Sequence, residues 1–426
     1  MINRKQQPNI TDPIHLPLQL PAAETFTLSN GVQVYAVKAG AQEVVQLELV
    51  FDAGNWYEQK NIVAASTNFL LKNGTRHKTA FQLNEQVEMY GAYLNRACYF
   101  ERASVSLHSL SKFLPQLLPL VAEVLSESVF PEEEIQIYCQ NMRQRLAVNL
   151  KKPDFVANRL IDAYVFGEQH PYGKYSHLSD YDTLTRNEML QFFQQYYQNG
   201  HCTVFIAGNL PNDIEALLNN TIGQLPLNGT VLVKPEYPIQ PAAQKKYFVL
   251  NDDNGVQAAI RLALPFPERH HPDFLKAQLL NTVLGGYFGS RLMSNIREDK
   301  GYTYGIHSYI QPFQQQSLWM VSTEAGRQVS EAAIEETYKE MLKLQQQPIA
   351  EEELSLVKNF LIGTLLGDID GPFHIIERWK NYVLNNMPMN YFDITVENIK
   401  STTAEELQQL AKKYLNPENF YELQVV

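Results

Sequence analysis

The feature that most constrains this chain of 426 residues is an internal repeat. Pro131-Glu132-Glu133-Glu134-Ile135 opens one helical pattern and Pro348-Ile349-Ala350-Glu351-Glu352-Glu353-Leu354 opens another, the prolines 217 positions apart. The same offset relates Thr185-x-x-Glu188 to Thr402-x-x-Glu405, Leu190 to Leu407 and Tyr197 to Tyr414. Both Thr-x-x-Glu stretches read as capping boxes, in which the Thr oxygen takes the N3 amide proton and the Glu reaches back. Each helix then runs toward a short strand, CTVFIAG (202–208) or FYELQVV (420–426). Several matches at one spacing mean a duplicated unit, and a chain of this length exceeds what one hydrophobic core encloses. The expected fold class is α+β, with two tandem homologous domains, each a mixed/antiparallel sheet with helices packed on one face. Their expected spans are 1–218 and 240–426 with a linker region at 219–239. The Pro-rich stretch VKPEYPIQPAAQ (233–244) would stiffen that connection.

Within the first unit, TFTLSNGVQVYAV places Asn30-Gly31 between alternating apolar residues, a strong hairpin signal. VVQLELVFDAG reads as a strand, IVAASTNFLLKNG as a helix closed by Gly74, and residues 92–110 as one long strand. FLPQLLPLVAEVLSESVF reads as a helix. In the second unit, GVQAAIRLALPFP is the strand and HPDFLKAQLLNTVLGG the helix.

A formal charge of −11 and the lack of a Lys/Arg cluster argue against nucleic acid and anionic membranes as partners. No apolar run of about 18 residues offers a membrane span. The first thirty residues carry prolines and no apolar h-region, so a cytoplasmic location is expected. Cys98, Cys139 and Cys202 form no C-x-x-C pair and read as buried thiols in a reducing compartment.

The stretch from Asn55 to Ala103, NWYEQKNIVAASTNFLLKNGTRHKTAFQLNEQVEMYGAYLNRACYFERA, resembles the first domain of the M16 (pitrilysin or insulinase-like) metallopeptidases. LGGYFGSRLMSNIREDKGYTYG (284–305) is similar to their C-terminal signature, with Ser290-Arg291-Leu292, Arg297, Gly301 and Tyr304 in order. The family's working motif is an inverted H-x-x-E-H. Two His one helical turn apart bind zinc, and the Glu between them activates the bound water. Aligned on Lys72-Asn73-Gly74-Thr75, those positions are Ala65, Asn68 and Phe69. Ala and Phe carry no ligand atom, and an Asn cannot act as a base at neutral pH. The third ligand, a Glu, would fall near residue 146, where Gln144, Arg145 and Leu146 stand. Glu132 to Glu134 instead read as the acidic crown of a helix N-terminus.

The other histidines offer no replacement. His374-Ile375-Ile376-Glu377-Arg378 matches the motif at two of three positions, but Arg378 cannot ligate a metal. His270-His271 reads as a solvated loop and His170 as the shaper of a turn. No G-x-S-x-G elbow, P-loop or dinucleotide fingerprint is present.

The resemblance implies a role for Arg297 and Tyr304, which in active members reach the substrate backbone: the phenol donates to the developing oxyanion and the guanidinium holds a carbonyl or carboxylate. The plainer alternative is an Arg297 paired with a neighbouring carboxylate and a Tyr304 packed in a strand. The resemblance also implies that the strand bearing Asn95 takes an extended peptide at its edge, unless it is an ordinary internal strand. Arg96 there stands where small residues are usual.

The expected function is that of a metal-free, non-catalytic subunit. It would bind no cofactor, with zinc only in a homologous H-x-x-E-H-bearing partner. That heterodimer would close a peptide-cleaving chamber, with Arg297 and Tyr304 completing the partner's site. Pairing with itself as a homodimer is the other assembly. The alternative function is a peptide-binding or scaffold protein without turnover, and a third is a peptidase with relocated ligands.

Overall fold

The computed structural model describes residues 13–227 and 233–426. The reading of the N-terminus as lacking a leader therefore falls partly on residues 1–12, outside the described residues, as do 228–232 of the expected linker.

The N-terminal sheet contains β1 (Glu24–Thr27), β2 (Gln33–Lys38), β3 (Val44–Phe51), β4 (Tyr93–Cys98), β5 (Ala103–Leu110) and β6 (Cys202–Gly208) in the order β1-β2-β6-β3-β5-β4. The Asn30-Gly31 hairpin forms, with Thr27 facing Gln33 and Gly31 at φ 88°, a conformation that favours glycine. β2 and β6 run parallel and the other neighbours antiparallel, so the sheet is mixed. Along β3, Val45, Leu47, Leu49 and Phe51 are buried on one face while Gln46 and Glu48 are half-buried on the other, the alternation of a strand with one core face. Every residue of β6, which is central, is buried.

Among the described residues, the chain between β3 and the Pro-rich segment forms the helices α1 (Val63–Leu70), α2 (Ala80–Glu88), α3 (Leu114–Glu127), α4 (Glu132–Asn149), α5 (Pro153–Phe166), α6 (Leu178–Thr183), α7 (Arg186–Phe193) and α8 (Ile214–Asn219). Residues 92–110, expected as one strand, are a hairpin. Tyr99 N–H donates to the Arg102 carbonyl, and the turn is clamped from outside by Trp56 N–H on the Phe100 carbonyl. No Gly, Pro or Asn marks that turn, which is why it does not show in the sequence.

The C-terminal sheet is β7 (Lys246–Val249), β8 (Gln257–Phe266), β9 (Thr303–Pro312), β10 (Ser317–Gly326) and β11 (Tyr421–Val425), ordered β7-β11-β8-β10-β9. Its single parallel pair, β7 with β11, occupies the place of β2 with β6, and its other pairs are antiparallel. The helices are α9 (Phe274–Asn281), α10 (Ser330–Gln346), α11 (Glu351–Gly367), α12 (Pro372–Leu384), α13 (Tyr391–Ser401) and α14 (Ala404–Tyr414). The protein is thus an α+β duplication built on two mixed sheets.

The register of the duplication differs from 217. The second capping box is Thr403 with Glu406, while the Thr402 hydroxyl bonds back to the Asn398 carbonyl at the end of α13. α7 and α14 therefore correspond at an offset of 218, which superposes buried Met189 on buried Leu407 and buried Tyr197 on buried Leu415. α4 and α11 correspond at 219, which matches Ile135, Tyr138 and Leu146 with Leu354, Val357 and Leu365, all buried.

The described residues form two compact units, one within 22–243 together with 371–383 and one of residues 13–21, 244–370 and 384–426, residues 228–232 being left aside. α12 is thus almost wholly assigned to the N-terminal unit, where Lys380 Nζ meets Glu48 Oε2 at 2.7 Å. The described part of the Pro-rich segment is anchored to that same unit. Trp56 Nε1 donates to the Pro235 carbonyl at 2.7 Å, Tyr237 hydroxyl donates to the Trp56 carbonyl, and Gln240 N–H bonds the Phe166 carbonyl. The expected buried thiol is found at Cys202, whereas Cys98 and Cys139 are half-buried, and all three are free.

Candidate functional site

The positions of the expected metal motif lie on α1. The carboxylate of buried Glu58 accepts the Ala64 N–H at 3.0 Å, which caps the helix start, and is itself met by Lys174 at 3.3 Å. Ala65 is half-buried, Asn68 is 2% exposed and Phe69 is 46% exposed. Asn68 Nδ2 donates to the Ser104 carbonyl at 3.2 Å and to the Tyr197 hydroxyl at 3.0 Å, tying α1 to β5 and to the turn after α7. The Phe69 ring tilts against Tyr138 of α4 with centroids 5.0 Å apart, and the Arg96 guanidinium of β4 stands over the Phe69 ring at 4.8 Å. Ser66 hydroxyl donates to the Tyr138 hydroxyl at 3.2 Å. Burial pushes the Tyr138 phenol well above its ordinary range.

This constellation does not fit zinc. The positions that the resemblance assigns to ligands and base offer a methyl group, a carboxamide spent on a carbonyl and a phenol, and an aromatic ring. Leu146 is buried, and Gln144 and Arg145 are exposed. Among the described residues, no group of three or more His, Cys, Asp and Glu side chains is arranged to hold a metal ion. Glu132 to Glu134 do form the first turn of α4, and Glu134 takes a hydrogen bond from Asn73.

The charge at this end of α1 is positive instead. Burial lowers the pKa of Arg96, and no hydrogen-bond partner meets its enclosed Nε. Burial also lowers Lys72, with the Arg96 charge adding to the effect and Glu88 opposing it. Lys72 Nζ donates to the Leu94 carbonyl at 3.5 Å. Residue-type reading of the zinc motif missed this pair, although Arg96 in place of a small residue was its signal.

Arg297 and Tyr304 sit in the other unit. Arg297 lies in the last turn of the π-helical segment Met293–Asp299, whose Met293 and Ile296 are buried. Its Nε donates to the Tyr304 carbonyl at 3.0 Å, its guanidinium stands over Phe288 at 4.8 Å, and Nη1 lies 3.6 Å from Glu298. Gly301, at φ 66°, turns the chain between them. Tyr304, second residue of the edge strand β9, is 94% exposed. The pair is joined through main chain, and the phenol stands free of packing. Nearby, Arg291 makes a two-pronged pair with Glu353 at 2.8 Å on each prong, which holds this signature to α11. Asn95 lies exposed on β4, also an edge strand.

His170 shapes its turn, with Nδ1 accepting Tyr172 N–H at 3.1 Å. Its ring is 1% exposed among Trp56, Phe166 and Tyr172, and burial, aided by the Lys234 charge, pushes its pKa down to about 4. His270 pairs with Glu268 at 2.7 Å in a partly exposed loop, and His374 is exposed on α12.

Residues 33–172 match the model of the insulinase family, peptidase family M16, and residues 183–361 match that of the peptidase M16 inactive domain. The chain belongs to the M16 peptidase family. It is 22% identical over 396 residues to an uncharacterized zinc protease of Bacillus subtilis, covering 91% of this chain and 94% of that one. In fold it is similar to the M16 inactive domain from Pseudomonas fluorescens, at TM-score 0.85 and 24% identity, covering 95% of this chain and 98% of the other. It is also similar in fold to a chain of complex III2 from Candida albicans, at TM-score 0.73 and 17% identity, covering 94% and 95%. No helix among the described residues is long and apolar enough to cross a membrane.

Proposed function

We propose that this chain is a zinc-free, non-catalytic M16 subunit that acts beside a homologue carrying an intact H-x-x-E-H motif. Arg297 and Tyr304 serve the partner's reaction, and the pair binds and cleaves extended peptides in the cytoplasm. One observation carries this reading: the catalytic positions of α1 are filled by an aromatic ring and a committed carboxamide, while Tyr304 stays 94% exposed beside a tethered Arg297. A solvent-facing phenol and a held guanidinium are suited to donate hydrogen bonds to a substrate carbonyl, a use that ordinary packing does not require.

The test mixes the purified chain with a zinc-bearing M16 homologue of the same genome and follows hydrolysis of a quenched fluorescent peptide. Mixing is expected to raise the rate, and Arg297→Ala or Tyr304→Phe to remove most of the gain, about ten-fold or more for a lost oxyanion donor. A gain that both variants leave intact refutes the role of the pair. Similarity in fold to a complex III2 chain favours the second reading, a scaffold or peptide-binding protein, which predicts no gain with any homologue.

A further inference from the structure

The end of α1 carries two neighbouring cations, Lys72 and Arg96, with no carboxylate in contact; Glu88 acts on Lys72 only from beyond ion-pair distance. Among the described residues neither Lys72 nor Arg96 forms an ion pair, Lys72 Nζ meets the Leu94 carbonyl at 3.5 Å, and the enclosed Arg96 Nε has no hydrogen-bond partner. This occurs in a chain with 46 acidic against 35 basic residues, so carboxylate partners were abundant. Two like charges partly withdrawn from water repel each other and lose hydration, a cost that an anion between them reverses. The Phe69 ring beneath Arg96 holds the planar guanidinium at 4.8 Å and limits its rotamers, so its fork is presented with little further loss of entropy. β4, which bears Arg96, is the outermost strand of its sheet, with Tyr93 and Asn95 exposed along it. An outer strand offers unpaired backbone groups to an extended chain.

We infer that Lys72 and Arg96 form a carboxylate-binding site where the family places its metal, and that it takes the carboxylate of a peptide extended along the free edge of β4. Arg96 accepts the carboxylate on its fork, Lys72 supplies the second charge, and Phe69, 46% exposed, covers the apolar part of the same residue. This site would hold a substrate or product end rather than cut it. The inference rests on the peptide-binding part of the proposed function and is independent of the pairing with a zinc-bearing homologue, because it concerns binding by this chain alone.

The experiment measures anisotropy of four fluorescein-labelled versions of one proline-free decapeptide with the full chain. The versions carry Glu or Gln at a central position, each with a free or an amidated C-terminus. The expected result is that at least one carboxylate-bearing version binds about ten-fold more tightly than the Gln amide, weakening as salt rises. Which version gains identifies the carboxylate as terminal or side-chain. Arg96→Gln and Lys72→Gln are each expected to abolish the preference, with unchanged far-UV circular dichroism; Lys72→Gln serves alone if Arg96→Gln disturbs the fold. Equal binding of all four peptides, no binding of any, or a preference that survives Lys72→Gln overturns the inference.

Discussion

The two sheets share one plan, yet their outer strands have gone opposite ways. At β4 the neighbouring helix is locked down: Asn68 is bonded to Ser104 and Tyr197, and Phe69 is sandwiched into contact with Tyr138 and Arg96. At β9 the corresponding corner is left open, with Tyr304 nearly fully exposed and Arg297 held only by a carbonyl, a ring and a loose acidic neighbour. Buried polar groups with all their bonds made lend uniqueness to a core, whereas an exposed pair tethered through main chain contributes little to stability and is free to serve a ligand. The difference teaches that, on one duplicated plan, a helix beside one edge strand can be fixed by side-chain hydrogen bonds while the other edge leaves its tyrosine to solvent.

The largest test of this contrast is Asn68→Asp. It replaces a donor by a buried charge facing the Ser104 carbonyl, and is expected to cost about 3 kcal/mol or more in urea denaturation. A loss below about 1 kcal/mol would show that α1 is not locked by this network. Next, the N-terminal unit is expected to be acid-sensitive through His170. The unfolded chain takes a proton near 6.5 and the folded one only near 4. The unfolded state therefore binds the extra proton within that window, so stability is full above about pH 6.5 and falls as the pH drops toward 4. The effect is at most about 3.5 kcal/mol, given about 1.4 kcal/mol per pKa unit. His170→Phe should flatten that slope in denaturation curves between these pH values. Smallest is the pairwise comparison of ring deletions. Phe69→Ala is expected to cost about 1–2 kcal/mol through its two ring partners, and Tyr304→Ala less than about 0.5 kcal/mol. Equal costs would erase the contrast.

Much of the fold was legible in residue order, but its register was not. The run Thr402-Thr403-Ala404-Glu405-Glu406 offers two capping boxes of identical spacing. Sequence has no means to choose between them. The structure chooses Thr403 because Thr402 is needed to finish α13, its hydroxyl returning to Asn398. Likewise the turn at Tyr99–Arg102 has no glycine or proline to announce it and is set by contacts from Trp56 and from Tyr172, which bonds Glu101. That Ala65 and Phe69 carry no ligand atom and Asn68 no carboxylate was readable outright, since residue type needs no coordinates. The stacking of Phe69 on Arg96 was not, because it joins residues of two elements whose approach depends on how α1 packs on β4.

By itself, the amino-acid order determined the duplication, the α+β class and the family, all of which follow from residue type and short-range spacing. Only the tertiary structure decided that the Pro-rich segment is fastened to the N-terminal unit, that α12 groups with that unit across a long stretch of chain, and that the Lys72 and Arg96 charges act on each other. These depend on contacts between residues far apart in sequence, and burial and electrostatic neighbourhood exist only once the chain has closed on itself.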